Sequence, residues 1–502
     1  MTSAVRVLAW VGLLAVFTTS HAADSAFYEH LRARAKALAA ESYLQPQGEV
    51  PEWLRQLSYD DLRQIEFEGG RSLWKREQLP FQVQFLHPGF LYDQTVRLFE
   101  LKESREYPLP FRREYFNYRT AKAGAMPATM GFAGFRLMYP FGGRDQPFRE
   151  LGSFVGASYF RFLNADTAYG LSARGLALNT VEPEGEEFPR FTAFWLEPPK
   201  PNGQSMTLYA LLEGPSVAGA YQFSVAPGAS TLVHVRGSVY VRKEAKVFGI
   251  APLTSMFWHG ENSNSPTRDF RPEVHDSDGL LVHNGADEWV WRPLANPRGV
   301  RVSSFADENP RAFGLIQRDR NFENYQDLEA SYHTRPSAWV EPVGQWGKGS
   351  VRLVEIPTAT EFEDNIVVFW VPEKSPAPGE SVDFEYRLHW FLDQIGPPAG
   401  VVRSTRHGKS AYYEPGLERF VVDFDGRQLQ ALQADASVEH EVSVGDGATL
   451  NHSSLQKNAI NGTWRVAFTI KPDGSGRPVE LRCFLRKPPE TLTETWSYLW
   501  QP

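Results

Sequence analysis

The sequence of 502 residues predicts an all-β protein with a short helical start. Apolar and aromatic runs of about five to eight residues recur between Gly, Pro, Asn and Asp, which is typical of short strands separated by turns. The 36 prolines and 40 glycines supply residues for many turns. No repeat of fixed period is visible, so a propeller or a solenoid is not expected.

Two helices are predicted before the first strands. Residues Phe27–Tyr43 are rich in helix-favouring residues, and their apolar positions recur at helical spacing. Residues Pro51–Phe67 predict a second helix, because Pro51 lies in its first turn, where a missing N–H costs nothing.

The amino terminus predicts a secretory signal peptide over residues 1–22. Arg6 supplies a positive charge, and Val7–Phe17 is apolar but too short to be a comfortable membrane span. Small residues at Ser20 and Ala22 favour cleavage after Ala22, and cleavage after Ala23 is the alternative. There is no twin-arginine pair, which indicates the general secretory route, and no membrane insertion is expected after cleavage.

Composition excludes some partners. The net charge of −8 and pI near 5.9 disfavour nucleic acid or an anionic membrane surface as the main partner. The single cysteine, Cys483, excludes an intramolecular disulfide and is expected to be a buried apolar residue of a strand.

A domain boundary is predicted at residues 392–403. Residues 23–391 form the expected large β domain, whose last strand is Asp383–Phe391, and the connector that follows is rich in Pro and Gly. Residues 404–502 start again with short alternating strands, a pattern typical of an immunoglobulin-like sandwich with its own core.

The run Phe257–Leu294 combines acidic residues, three histidines and three tryptophans with almost no apolar periodicity. Carboxylates among indole rings suggest sugar chemistry, because aromatic rings stack on pyranoses and carboxyl groups move protons at a glycosidic oxygen. A solvated surface loop is the alternative. The irregular spacing of His259, His275 and His283 argues against a metal site.

Motifs of other enzyme classes are missing from the sequence. There is no G-x-S-x-G elbow, no H-E-x-x-H, no P-loop and no G-x-G-x-x-G after a strand. No cofactor is therefore expected.

Several long strings resemble one protein family over nearly the whole mature chain. The strings are GASYFRFLNADTAYGLSARGLALNT, EFPRFTAFWLEPPKP, MFWHGENS, RDFRPEVHDSDGLLVHNGADEWVWRPLANP, SYHTRPSAWVEPVGQWGKGSVRLVEIPT and DNIVVFWVPE. In these strings the chain resembles the osmoregulated periplasmic glucan biosynthesis proteins of proteobacteria, the OpgG/OpgD (MdoG/MdoD) family, and its signal peptide is similar to that of the OpgG branch. The resemblance implies a periplasmic protein with a large galactose-mutarotase-like β-sandwich followed by a small immunoglobulin-like sandwich.

The resemblance also implies the catalytic residues of an inverting enzyme acting on β-1,2-glucan. Asp364, in the DN dipeptide of EFEDNIVVFW, is the implied general acid, and Asp276, in RPEVHDSDG, is the implied residue on the water side. A structural role at the start of a strand is the alternative for Asp364. Glu273, Asp278 and Asp269 lie close enough in sequence to compete with Asp276.

Substrate-binding candidates are aromatic side chains for stacking and arginines for hydrogen bonds to sugar hydroxyls. Each aromatic residue has an alternative role in a sandwich core. The candidates are Trp258, Arg271, Trp289, Trp291, Tyr332, His333, Arg335, Trp339 and Trp346.

Three functions remain open from the sequence. The first is an inverting endo-β-1,2-glucanase that trims the linear glucan backbone. The second is an inverting transglycosylase that cyclises or branches the glucan with a sugar hydroxyl in place of water. The third is a non-catalytic glucan-binding assembly protein that works with a membrane glucosyltransferase. All three have β-1,2-glucan as the ligand.

Overall fold

The computed structural model describes residues 21–45, 50–119, 126–127, 129–263, 268–393, 395–397, 399–409 and 416–502. It confirms the all-β prediction. Apart from His21 and Ala22, the predicted signal peptide lies outside the described residues. No helix in the described part of the chain is long and apolar enough to cross a membrane.

Helices are few and short after the first. The α-helices are α1 (His21–Ala40), α2 (Glu52–Arg55), α3 (Tyr59–Arg63), α4 (Phe322–Tyr325) and α5 (Arg427–Ala431), and the 3₁₀ turns are Gly69–Arg71, Arg113–Tyr115 and Tyr332–Thr334.

The second predicted helix, Pro51–Phe67, is wrong as a single element. The structure divides it into α2, α3 and a strand, because Ser58 caps a new helix. Its side chain accepts a hydrogen bond from the backbone of Asp61, and the Asp61 carboxylate accepts one from the backbone of Ser58.

The strands of the first half of the chain are β1 (Ile65–Phe67), β2 (Gln82–Leu86), β3 (Arg97–Lys102), β4 (Arg105–Pro108), β5 (Phe116–Tyr118), β6 (Gly134–Tyr139), β7 (Arg149–Val155), β8 (Tyr159–Phe162), β9 (Ser172–Arg174), β10 (Ala177–Leu178), β11 (Arg190–Leu196), β12 (Met206–Glu213), β13 (Val217–Ala226), β14 (Thr231–Val241) and β15 (Phe248–Ser255). Those of the second half are β16 (Phe257–His259), β17 (Val274–His275), β18 (Gly279–His283), β19 (Trp289–Pro293), β20 (Arg301–Glu308), β21 (Ala312–Ile316), β22 (Ser337–Pro342), β23 (Lys348–Glu355), β24 (Ile366–Pro372), β25 (Ser381–Phe391), β26 (Val401–Lys409), β27 (Glu418–Asp425), β28 (Glu439–Val444), β29 (Ala448–Lys457), β30 (Trp464–Pro472), β31 (Val479–Lys487), β32 (Glu490–Thr491) and β33 (Thr495–Trp500).

Two large sheets enclose the main hydrophobic core. One has the strand order β2-β6-β7-β8-β9-β15-β24-β23-β20, and the other runs from β28 through β19, β25 and β14 to β4. Phe154 of the first sheet packs edge-on against Phe223 of the second, with ring centroids 5.2 Å apart. Apolar side chains of both sheets continue this core, as expected when two sheets each bury one face.

Helix α1 covers the outer face of the second sheet. Phe27 and Leu31 are buried against Trp195 and Tyr209 of β11 and β12. The prediction of a helix at the start of the mature chain is therefore confirmed, with bounds His21–Ala40 in place of Phe27–Tyr43.

The C-terminal region is a sandwich that shares its core with the large domain. Strands β26, β27, β30 and β29 form a separate four-stranded sheet, whereas β28, β31 and β33 extend the large sheet through a parallel pairing of β33 with β19. One apolar cluster joins Trp291 and Trp339 to Trp496 and Cys483. The expectation of a core belonging to the tail alone is wrong, because β19 and β22 supply part of it. The boundaries at 391 and 404 remain a prediction, and β26 begins at Val401, inside the predicted linker.

Candidate functional site

Asn365 fixes the position of Asp364. The buried Asn365 side chain accepts a hydrogen bond from the backbone N–H of Phe257 (2.8 Å) and donates to the carbonyls of Phe257 and Ile356 (both 3.0 Å). These bonds hold the start of β24 against β16 and the end of β23. Among the described residues, the Asp364 carboxyl itself has no hydrogen-bond partner, so it is available to a substrate.

Asp276 follows β17 and is buried. Its backbone N–H donates to the carbonyl of Met256 (2.8 Å), and its carboxylate accepts a hydrogen bond from the guanidinium of Arg335 (2.5 Å). The Arg335 side chain also donates to the carbonyl of Ala330 and lies over the ring of Tyr332, 4.4 Å from its centroid. Arg335 therefore fixes the carboxylate from one side.

Both carboxyl groups have raised pKa values. Burial raises the pKa of Asp276 to about 6, and the negative charge of Asp364 acts in the same direction against the cations of Arg335 and His275. Asp364 is exposed as a residue, yet the surrounding protein desolvates its carboxyl group enough to raise the pKa. Since each is influenced by Arg335 and Asp276 responds to Asp364, the two carboxyls share one electrostatic site.

Two further arginines surround Asp364. The positive charges of Arg161 and Arg174 lower the pKa of Asp364, although desolvation outweighs them. Arg174 is buried, pairs with Glu186 (2.5 Å) and lies over the ring of Tyr159, 5.3 Å from its centroid. The sequence interpretation missed these residues, because the GASYFRF and LSARG strings containing them have no spacing that separates a site arginine from a structural one.

Arg271 joins three loops near the two carboxyls. Its five N–H donors are used by Asp269 (3.0 and 2.7 Å), Asp327 (2.8 Å) and Glu361 (2.7 and 3.1 Å). Glu361 also accepts a short hydrogen bond from the hydroxyl of Tyr332. The predicted role of Arg271 in binding sugar hydroxyls is not compatible with this geometry, because no donor remains free. Arg271 instead positions its neighbours.

The carboxylates that competed with Asp276 in the sequence are all engaged. Asp269 is held by Arg271, whose hydrogen bonds lower its pKa to about 2. Asp278 accepts hydrogen bonds from the backbone of Arg318 and of Asp319. Glu273 contacts the Nε2 atom of His275 (2.9 Å).

His275 is a buried cation next to Asp276. Its Nδ1 atom contacts the amide oxygen of Gln317 (3.0 Å) while Nε2 contacts Glu273, so both ring nitrogens donate. Burial opposes the charge, but Asp278 and Glu273 raise the pKa of His275 to about 9. The ligand atoms of Glu273, His275 and Asp278 lie within 4.8 Å of one another, and in this structure both acids face the Nε2 atom of the His275 ring.

Tyr332 and Trp258 lie together beside the carboxyls. Both belong to a small buried cluster with Met256, Val274 and Tyr325. His333 follows Tyr332 and contacts the ring of Phe322 edge to face, with centroids 5.4 Å apart. Among the predicted substrate-binding residues, the structure therefore groups Trp258, Tyr332, His333 and Arg335 in one region.

The other four predicted tryptophans serve the cores. Trp291 and Trp339 are buried in the core shared with the C-terminal sandwich, and Trp289 stacks on Trp339 at 5.9 Å. Trp346 packs on the main core, 6.2 Å from Trp370. Burial leaves Trp291 and Trp339 no face for a sugar ring, whereas Trp289 and Trp346 are partly buried at the edges of these cores, and a stacking role for them stays a prediction.

Comparison with known families identifies the chain. Residues 27–500 match the family described as periplasmic glucan biosynthesis protein, MdoG. The protein belongs to this family. The match covers both sandwiches, and it assigns the protein a role in periplasmic glucan biosynthesis. MdoG-family membership also agrees with the resemblance seen in the sequence strings.

Proposed function

We propose that the protein is an inverting endo-β-1,2-glucanase that acts on the linear backbone of periplasmic glucans. The observation that carries the proposal is the pair Asp364 and Asp276, two carboxyls with raised pKa values in one site with Arg335. Asp364 is exposed, so a glucan chain in solution can reach it.

The two carboxyls have different surroundings, which suits different roles. Asp364, without a hydrogen-bond donor among the described residues, holds a proton and delivers it to the glycosidic oxygen as general acid. Asp276 receives a hydrogen bond from Arg335, which favours its ionised form, and it accepts a proton from water on the opposite face of the sugar. Attack from that face gives a product of inverted, α-anomeric configuration.

The same two carboxyls would also serve a transglycosylase. A sugar hydroxyl in place of water would use the same acid and base, so product analysis rather than geometry separates the two reactions. A non-catalytic assembly protein would bind glucan without changing it. In each case a membrane glucosyltransferase is the proposed source of the glucan, and the periplasm is the proposed place of action after removal of residues 1–22.

The test is incubation of the purified protein with linear β-1,2-glucan, followed by mass analysis and anomeric NMR of the first products. We expect shorter glucans with α-anomeric reducing ends. Cyclic or branched products would show transglycosylation, β-anomeric products would contradict inversion, and unchanged glucan would contradict both reactions. Asp364→Asn is the matched control, with an expected loss of about two to four orders of magnitude in turnover.

A further inference from the structure

Three large apolar side chains are exposed next to the acids that bind Arg271. Phe270, Leu328 and Phe362 are 78%, 85% and 89% exposed. Each of them directly follows an acid that binds Arg271: Asp269, Asp327 or Glu361. We call these three residues the apolar rim.

Arg271 and the three acids that bind it, which we call the Arg271 hub, bring the three loops of the apolar rim together. The three acids contact one guanidinium at 2.7 to 2.8 Å, and each rim residue is one peptide unit, about 3.8 Å between Cα atoms, beyond its acid. The acids are partly buried while the residues after them are exposed, so polar anchors alternate with apolar side chains that face solvent. Asp327 is held further by hydrogen bonds from the backbone of Glu329 and Ala330.

The apolar rim adjoins the candidate catalytic residues. Phe362 lies two positions before Asp364, and Glu361 accepts the hydroxyl of Tyr332, the ring that lies under Arg335. Arg335 in turn binds Asp276. A chain of direct contacts therefore connects the rim to both carboxyls.

We propose that the apolar rim is an outlying glucan subsite on which sugar rings beyond the cleaved linkage stack. The inference rests on the proposed function. Aromatic rings that face solvent beside carboxyl and arginine groups provide the flat apolar surface that the C–H faces of pyranoses need. A polysaccharide chain is favoured over a protein partner, because each rim side chain adjoins a charged residue bound to Arg271, whereas the centre of a protein interface is depleted of charge.

The test compares Phe270→Ala and Phe362→Ala with the parent protein on linear β-1,2-glucan and on a series of short β-1,2-oligosaccharides. Ile460→Ala, at a position 96% exposed in the C-terminal region, is the matched control. We expect the rim variants to lower kcat/KM on the long glucan by roughly 3- to 10-fold each, mainly through KM. The shortest substrate that is cleaved should be unaffected, and Ile460→Ala should match the parent on every substrate.

Affinity for glucan, measured by calorimetry in the Asp364→Asn background, tests glucan binding by the apolar rim independently of cleavage. Weaker glucan binding by the rim variants supports the rim even when the parent protein cleaves nothing, and in that case only the proposed reaction fails. Cleavage by the parent protein with no change in binding or KM in the rim variants overturns the rim. Failure of the parent protein to bind β-1,2-glucan overturns both, and a defect confined to association with another protein would assign these side chains to a protein interface.

Discussion

The run Phe257–Leu294 divides into two parts with different uses. In the part ending at Asp278, Asp276 and His275 form the charged site together with Arg335. In the part formed by β19, Trp291 is buried in the core shared with the C-terminal sandwich. Acidic and indole side chains that are neighbours in sequence therefore lie in different environments.

The difference shows how strand pairing separates residues that composition groups together. β17 pairs with β16 next to the start of β24, whereas β19 pairs with β18 and with β33. Because side chains alternate along β19, Trp289 and Trp291 share one face, which the C-terminal strands cover. Trp289 and Trp291 therefore belong to a core, whereas Trp258 of the same run lies in the cluster beside the carboxyls.

The two parts of the run should respond differently to loss of an acid. Asp276→Asn should lower turnover on β-1,2-glucan by about two to four orders of magnitude, because an amide cannot accept the proton from water. Asp287→Asn, in the tryptophan part, is the control and should leave turnover within about twofold of the parent value, since Asp287 is exposed and pairs with His283 and Arg311 rather than with Arg335. Steady-state kinetics measures turnover for both variants. Equal losses of turnover would contradict the difference between the two parts of the run.

Loss of a tryptophan in the part of the run formed by β19 should affect the stability of the fold. Trp291→Ala should lower the free energy of unfolding by about 3 to 5 kcal/mol, because it opens a cavity in the shared core and removes the ring over which the Arg318 guanidinium lies. Urea unfolding measures this loss, with Tyr107→Ala on the exposed strand β4 as a control. If Trp291→Ala lost affinity for glucan while its free energy of unfolding was unchanged, Trp291 would be assigned a role in sugar binding.

Arg271→Lys tests the hub within the acidic part. A single ammonium cannot replace five directed donors, so the loops carrying Glu361 and Asp364 should shift and kcat should fall roughly 10- to 100-fold. Arg268→Lys, an exposed arginine three residues earlier, should have no such effect. An activity of Arg271→Lys equal to that of the parent protein would show that the hub does not position the site.

The smallest effect concerns pH. Activity should fall as the pH drops through about 6, because Asp276 then gains a proton and no longer acts as a base. Arg335→Gln removes a cation that lowers the pKa of Asp276, so the acidic limb of the kcat/KM profile should move to higher pH. If the acidic limb of the Arg335→Gln profile stays at the same pH, a group other than Asp276 causes that limb.

The sequence predicted the local parts of the fold. The turn-separated apolar runs indicated the strands, and β25 ends at Phe391, as its pattern indicated. The division between α2 and α3 was missed because the Ser58 cap competes with a continuous helical pattern. The pairing of β19 with β33 was missed because no local pattern records which distant strand a strand joins.

The candidate site was only partly accessible from sequence. Asp276 and Asp364 were identified through family motifs, not through spacing, and the structure groups them with Arg335 and Tyr332. The saturation of Arg271 could not be predicted, because Asp327 and Glu361 lie far from it in sequence. Whether an arginine binds substrate or its own protein depends on such long-range contacts.

The parallel pairing of β19 with β33 has a consequence for the order of folding. Val290 and Thr495 are partners, so this contact joins positions roughly 200 residues apart. Closing so long a loop is slow compared with forming hairpins, and the edge of β19 has no partner on that side until the last strand arrives. Synthesis must therefore continue through β33 before the indole of Trp291 is covered, and a chain interrupted before β33 would expose a strand edge that favours aggregation.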